Sequence, residues 1–175
     1  MKTILNQVQL DITLERLCHQ LIENHILFEE TVLIGLQPRG VYLSDRIFKK
    51  LSHLLPDLSI PYGKLDITFY RDDFHKKENR PVPNKTELPF SVENKKVILV
   101  DDVLFTGRTI RSALNAILDF GRPQKVELLV LIDRLYGRQL PIQPNYAGRR
   151  MDALITQNVK VEWDGDNGRV ILIDT

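Results

Sequence analysis

Apolar residues at Leu10, Leu14, Leu17, Cys18, Leu21 and Ile22 recur every three or four positions, which predicts an amphipathic helix over residues 10–24. Asp11 or Thr13 is placed to cap its start. TVLIGL (31–36) is a continuous apolar run, the pattern of a strand buried on both faces. Pro38-Arg39-Gly40 interrupts it, and VYLSDRIFKKLSHLL (41–55) reads as a second helix. Pro56 and Pro61 punctuate the next stretch. KLDITFY (64–70) alternates apolar and polar residues like a strand.

From Arg71 to Pro89 the pattern dissolves into RDDFHKKENRPVPNKTELP, polar, charged and interrupted by prolines. A stretch this long without periodicity marks a lid, a binding loop or disorder. Order returns with KKVILVD (95–101), a buried strand, and TIRSALNAILDFG (109–121), a helix with Gly121 and Pro123 as its stop signal. KVELLVLID (125–133) is the next strand. Residues 134–156 read as loop-rich. VKVEW and RVILI, separated by DGDNG, make a terminal hairpin.

Alternating strands and helices predict an α/β fold with a mostly parallel sheet flanked by helices. With no repeat or linker, residues 1–175 read as a single domain. In such sheets ligands sit beyond the carboxyl ends of the strands. Three polar clusters fall at those ends: Arg39-Gly40, Asp101-Asp102 and Asp133-Arg134. Their convergence is an expectation of the fold alone.

Composition narrows the classes. A net charge of +1 does not call for a nucleic-acid or membrane partner, although a local basic face remains compatible with it. One cysteine, Cys18, excludes an internal disulfide and fits a reducing cytoplasm. MKTILNQVQLD lacks the apolar core of a signal peptide, and no apolar run approaches the roughly 20 residues that span a bilayer.

The densest chemistry lies in VDDVLFTGRT (100–109). Thr106-Gly107-Arg108-Thr109 joins a buried strand to a helix start, where unpaired N–H groups and a partial positive charge collect. Gly107 admits a close ligand, the threonines add hydroxyls and Arg108 adds charge. The loop suits a phosphate or, more plainly, a capped strand–helix turn. It lacks the spacing of a Walker A loop. Asp101 and Asp102 shift the balance. Carboxylates accept hydrogen bonds from hydroxyls or hold a hard cation. The whole motif therefore reads as a binder of a sugar phosphate.

VILVDDVLFTGRT (97–109) resembles the phosphoribosyl-pyrophosphate motif of type I phosphoribosyltransferases. LIGLQPRGVYLSDRI, LDITFYRDD, VDDVLFTGRTIRSALNAILDFGRP and LIDR followed by RQLPI resemble, in order, the PyrR family of pyrimidine operon attenuation regulators, which are also uracil phosphoribosyltransferases. The resemblance implies the type I phosphoribosyltransferase fold, with a small hood and a mobile lid over about residues 71–89. It implies that Asp101 and Asp102 meet the ribose hydroxyls and that Val103, Leu104 and Phe105 lead into the loop from Thr106 to Thr109, which holds the 5-phosphate. Arg39 and Gly40 face the pyrophosphate, with Arg71 as a further contact from the lid. Asp72 and Asp73 are weaker lid candidates, and His75, Lys76 and Lys77 read as lid surface. Asp133 helps hold a metal, largely through the substrate, while Arg134 and Arg138 face the nucleotide. The segment near Val159 closes the hood over the base. Mg²⁺ accompanies phosphoribosyl pyrophosphate (PRPP), uracil is the base and UMP or UTP the signal. A leader mRNA of the pyrimidine operon is the further partner. A homodimer or homotetramer is implied, and no membrane.

One position separates substrates. Purine relatives carry an acid just before TG, placed to exchange a proton with the purine ring. Here it is Phe105, which transfers no proton and either packs against a flat base or fills the pocket floor. That favours a pyrimidine over hypoxanthine, guanine or xanthine. The RNA side departs more from the family. Arg16 and His19 stand where the family has Arg and His, but Glu15 replaces a usual Thr and Asn24 a common basic residue. DRLYGRQLPI is one residue longer than the family's DRGHRELPI, Gln143 replaces an Arg, and Arg149 and Arg150 retain charge nearby. A uracil phosphoribosyltransferase that has lost RNA binding is thus the competing expectation, beside a purine enzyme.

Overall fold

The computed structural model describes residues 1–71 and 82–174. Strands β1 (Lys2–Leu5), β2 (Thr31–Leu36), β3 (Tyr62–Leu65), β4 (Lys96–Leu104), β5 (Lys125–Arg134), β6 (Tyr146–Met151), β7 (Gln157–Asp164) and β8 (Asn167–Asp174) are joined with helices α1 (Gln7–His25), α2 (Arg39–Leu54) and α3 (Arg108–Ile117). Five strands form one parallel sheet in the order β3-β2-β4-β5-β6. The remaining three form a separate antiparallel sheet, β1-β8-β7.

The continuous apolar runs became the central strands because both faces of the sheet are covered. Along β4, Ile98 and Val100 pack with Leu14, Leu17, Leu43 and Ile47 of α1 and α2. Val97 and Leu99 point the other way, toward Ile110, Ala113 and Ala116 of α3. The strand period of two thus feeds two cores at once. β7 and β8 lie over the first of these through Val159 and Val170. Their sheet is the expected hood, and the Arg46 guanidinium stacks 4.0 Å above the Trp163 ring to fasten it to α2.

Four local expectations change. Helix α1 begins at Gln7, and its cap is Asn6 rather than Asp11 or Thr13. Asn6 Oδ1 accepts from the Gln9 N–H at 2.9 Å while Gln9 Oε1 accepts from the Asn6 N–H at 3.0 Å, a reciprocal capping box. KLDITFY is only partly strand: Asp66 Oδ1 accepts from the Thr68 N–H (3.1 Å) and hydroxyl (2.6 Å), and this local bond turns the chain into a 3-10 turn over Thr68–Tyr70. β6 forms inside the segment read as loop. β1, also unexpected, is an edge strand that pairs Lys2 with Leu172. Among the described residues no helix is long and apolar enough to cross a membrane.

Candidate functional site

The parallel strands place their carboxyl ends side by side. A cavity of about 500 Å³ opens there, lined by Arg39 from the start of α2, Asp101, Asp102, Val103 and Phe105 from β4 and the turn after it, Thr109 from α3, and Arg134 from β5. Arg71, Asn158 and Val159 also line the wall. The convergence expected from strand–helix alternation is therefore present as one concave surface. Arg39 and Asp102 also border a larger cavity of about 930 Å³ between α2 and the hood.

The acids are the electrostatic centre. Both are buried, at 6% and 7% exposure. Burial, and then the neighbouring Asp102 charge, raise the Asp101 carboxyl well above the usual carboxylate range. Burial also raises Asp102, against the opposing pull of the Val103 N–H and the Arg39 charge. Each carboxylate is pinned by backbone: Asp101 Oδ1 accepts from the Asp102 N–H at 3.0 Å, and Asp102 Oδ1 from the Val103 N–H at 2.8 Å. Gly40 brings α2 against them, since a Cβ there would stand 2.5 Å from the Val100 carbonyl oxygen and 3.1 Å from Asp101 Cα. The amino terminus of α2, with its unpaired N–H groups, therefore abuts the acid pair.

The phosphate-suited turn is built as its sequence suggested. Gly107, at φ 91°, precedes the first turn of α3, and the Arg108 N–H donates to Thr106 Oγ1 at 3.3 Å. The loop after β5 folds over it: the N–H groups of Gln139 and Leu140 donate to the Thr106 carbonyl, and Arg108 Nε donates to Gln139 Oε1 at 2.7 Å.

Some expected residues stand elsewhere. Leu104 is buried in the core beside α3, so its side chain does not face the cavity. Asp133 does not join the acid pair: its carboxylate meets Arg138 at 2.5 Å and Arg150 at 3.7 Å, and it borders a separate cavity of about 270 Å³. Arg138 lies there too, and its Nη1 donates to the Phe105 carbonyl. Arg16 donates to the Gly148 carbonyl and Arg149 to that of Ile4 (2.8 Å), so both sit on the seam joining α1, β6 and β1. His19 lies 3.7 Å from Glu15 on the exposed side of α1. Asp72, Asp73, His75, Lys76 and Lys77, with most of the expected lid, lie outside the described residues. Its far stem runs back along β3, where Glu87 and Lys64 exchange N–H···O bonds at 2.8 Å.

Several lining residues were missed, Asn158 and Thr68 among them. Asn158 lines the cavity from β7, and Thr68 from the turn after β3. Thr68 is set by Asp66, whose second oxygen accepts from the Asn84 N–H at 3.0 Å. Asp66 thereby ties together both stems of the segment from 71 to 89. The spacing Asp66-x-Thr68 was the available signal, an aspartate whose side chain bonds two residues on.

Oxygen-only donors fit a hard divalent cation. Among the described residues no group of three or more Asp, Glu, His or Cys surrounds a metal position. Two acids suit an ion that keeps substrate oxygens and waters in its shell, as Mg²⁺ does.

Residues 1–166 match the phosphoribosyl transferase domain family. The chain is 40% identical to the bifunctional protein PyrR of Elusimicrobium minutum, over 98% of this chain and 97% of that protein. It is 43% identical to the bifunctional protein PyrR of Ligilactobacillus salivarius, over 95% and 96%. Among solved structures it superposes on a hypoxanthine phosphoribosyltransferase of Trypanosoma cruzi with a TM-score of 0.72 at 13% identity, covering 99% and 97% of the chains. A hypoxanthine phosphoribosyltransferase of Staphylococcus aureus gives 0.68 at 19%, covering 86% and 77%. At those identities the likeness concerns the fold.

Proposed function

The chain belongs to the phosphoribosyl transferase family, among the bifunctional PyrR proteins, and on that premise we propose that it joins uracil to PRPP, giving UMP and diphosphate, and uses the same nucleotide pocket to control binding of a pyrimidine-operon leader RNA. The observation that carries the enzymatic half is the buried Asp101–Asp102 pair beside the helix-start turn at Gly107. Few ligands other than a sugar phosphate use hydroxyl acceptors and a phosphate cradle together.

In this reading Asp101 and Asp102 accept the ribose hydroxyls. The N–H groups after Gly107, with the Thr106 and Thr109 hydroxyls, hold the 5-phosphate. Arg39 and the N–H groups opening α2 meet the diphosphate, with Arg71 beside them. Bond breaking at the sugar carbon leaves positive charge on the ribose, and the two carboxylates are the nearest fixed negative charge. Mg²⁺, held by the acid pair together with substrate oxygens, would neutralise the departing diphosphate. No residue is needed as a strong base, because the uracil N–H is itself acidic; orientation and charge stabilisation carry the rate. The hood, through β7, helps exclude the water that would otherwise capture the sugar.

The test is a screen of bases with PRPP and Mg²⁺. UMP formation from uracil, exceeding turnover of hypoxanthine and guanine, is expected. Preferred use of a purine overturns the reading of Phe105, and no turnover with any base overturns the enzyme.

The RNA half of the reading rests on Arg16 and Arg149, which share the seam of α1, β6 and β1, with His19 on the exposed side of the same helix. Removing one side chain that meets an RNA phosphate should lower the salt dependence of binding by about one unit of slope. Filter binding of leader RNA by Arg16→Ala should therefore show weaker and flatter binding. RNA affinity unmoved by UMP removes the regulatory half. We place the protein in the reducing cytoplasm as a homodimer or homotetramer, to be checked by sedimentation. Cys18 suits that compartment, buried with its thiol pushed up to about 12 by burial.

A further inference from the structure

The Phe105 ring is not a free platform for a flat base. The Arg134 guanidinium carbon lies 3.7 Å from the ring centroid, covering one face. Gly137 crowds the ring so closely that a Cβ there would collide with Phe105 Cε2. Arg138 fixes the same residue from behind, with Nη1 on the Phe105 carbonyl and Nη2 on Asp133. Arg134, Gly137 and Arg138, at the end of β5 and in the loop after it, thus hold one phenyl ring in place.

Arg134 is the group that this arrangement presents. It is 3% exposed, lines the cavity, and has no carboxylate partner among the described residues. Its Nη2 donates to the Leu154 carbonyl at 2.9 Å, while its Nε has no acceptor. A buried guanidinium with unspent donors is costly unless a ligand oxygen completes it. Its surroundings select the ligand part. Leu154 leads into β7, and Asn158 and Val159 of β7 stand in the same wall. The diphosphate end of the proposed substrate lies instead toward Arg39 and the start of α2, and the 5-phosphate toward Gly107.

Resting on the function proposed above, we infer that Arg134 reads the base, donating to a carbonyl oxygen of the pyrimidine ring, and that Phe105 is the positioning residue that holds its guanidinium flat against the pocket wall. The effect of Phe105 on specificity then has two parts. It withholds the proton-exchanging acid that a purine needs, and it orients the donor that a uracil carbonyl accepts.

The experiment compares UMP with ribose 5-phosphate, which differ only by the base, by calorimetric titration of the full chain. In Arg134→Gln, UMP affinity should fall about tenfold or more, the loss of a charged hydrogen bond, while ribose 5-phosphate affinity stays within about twofold. Phe105→Leu should lose part of the same preference, and Phe105→Tyr, which keeps the ring, should restore it. Retained ribose 5-phosphate binding shows that a variant is folded; should Arg134→Gln not fold, the Phe105 pair decides alone. A full UMP preference in Arg134→Gln, or in Phe105→Leu, overturns the inference. So does an equal loss of both ligands, which would assign Arg134 to the sugar phosphate. A wild-type protein that binds the two ligands equally overturns the uracil reading itself and not the assignment within it.

Discussion

The two ends of the parallel sheet each bury acid, a pair at one end and a single glutamate at the other, and the two settings are opposites. At the carboxyl end, Asp101 and Asp102 are raised because burial meets little compensating charge. At the amino end, burial would also raise Glu127, but hydrogen bonds from Lys125, Tyr146 and His25 outweigh it and hold the carboxylate below its usual range. His25 Nε2 donates to Glu127 Oε2 at 2.8 Å and the Tyr146 hydroxyl to the same oxygen at 2.9 Å. Asn24 donates to Tyr146 at 3.1 Å, so helix α1, β5 and β6 are tied in one network. Burial is common to both ends; contact with a side-chain cation or hydroxyl is not. The end whose acids are met mainly by backbone N–H groups is the one that awaits a ligand.

The contrast breaks first at Glu127. Removing the shared acceptor in Glu127→Ala leaves His25, Tyr146 and Lys125 without it, and should cost about 3 kcal/mol or more, lowering Tm by roughly 10 °C. A fall below about 3 °C in thermal denaturation would show that the amino-end network is not a staple. Next, Asp102→Asn should lower kcat/KM by about 100-fold with no loss of Tm, because it removes charge needed only with substrate. Activity within about threefold of wild type contradicts the assignment.

The smallest effect is the most diagnostic. Asp101 binds its proton more tightly when folded, so its contribution to stability is present at low pH and is lost as pH rises from the usual carboxylate range through its raised value. Asp101→Asn should therefore stabilise the ligand-free protein at neutral pH, by about 1 kcal/mol or roughly 2–4 °C. Glu127 runs the other way: its contribution is present above the ordinary glutamate value and is lost as pH falls through its depressed value. Thermal melts of Asp101→Asn between about pH 4 and pH 7 should lose the alkaline penalty alone; a variant less stable than wild type at neutral pH would remove the idea of a strained acid pair.

Much of this was legible because it is local. The apolar runs of β2, β4 and β5 are buried on both faces, so hydrophobicity alone marks them, and the acid pair and TGRT turn sit within nine residues of one another. The capping box was written in Asn6-x-x-Gln9 but hidden by Val8 and Ile12, which are exposed and break the apolar stripe. β1 and β6 are edge strands with little to bury; β6 carries Gly148, Arg149 and Arg150, and only tertiary pairing makes it a strand. The Phe105–Arg134 stack joins the turn after β4 to the end of β5, and no spacing rule reaches that far. Asp133, adjacent to Arg134 in sequence, faces the opposite way because neighbouring strand residues alternate sides.

The hood joins the first strand to the last, with Lys2 beside Leu172 and Leu5 beside Val170. During synthesis β1 leaves the ribosome well before β8 and must wait for it to find its partner. The five-stranded sheet pairs only with itself, although β7 and β8 complete the core beneath α1 and α2. A chain in which β8 is not yet made has the edge of β1 unmet, the form most exposed to wrong pairing. Pulse-labelled hydrogen exchange on ribosome-stalled chains should find β4 protected before β1.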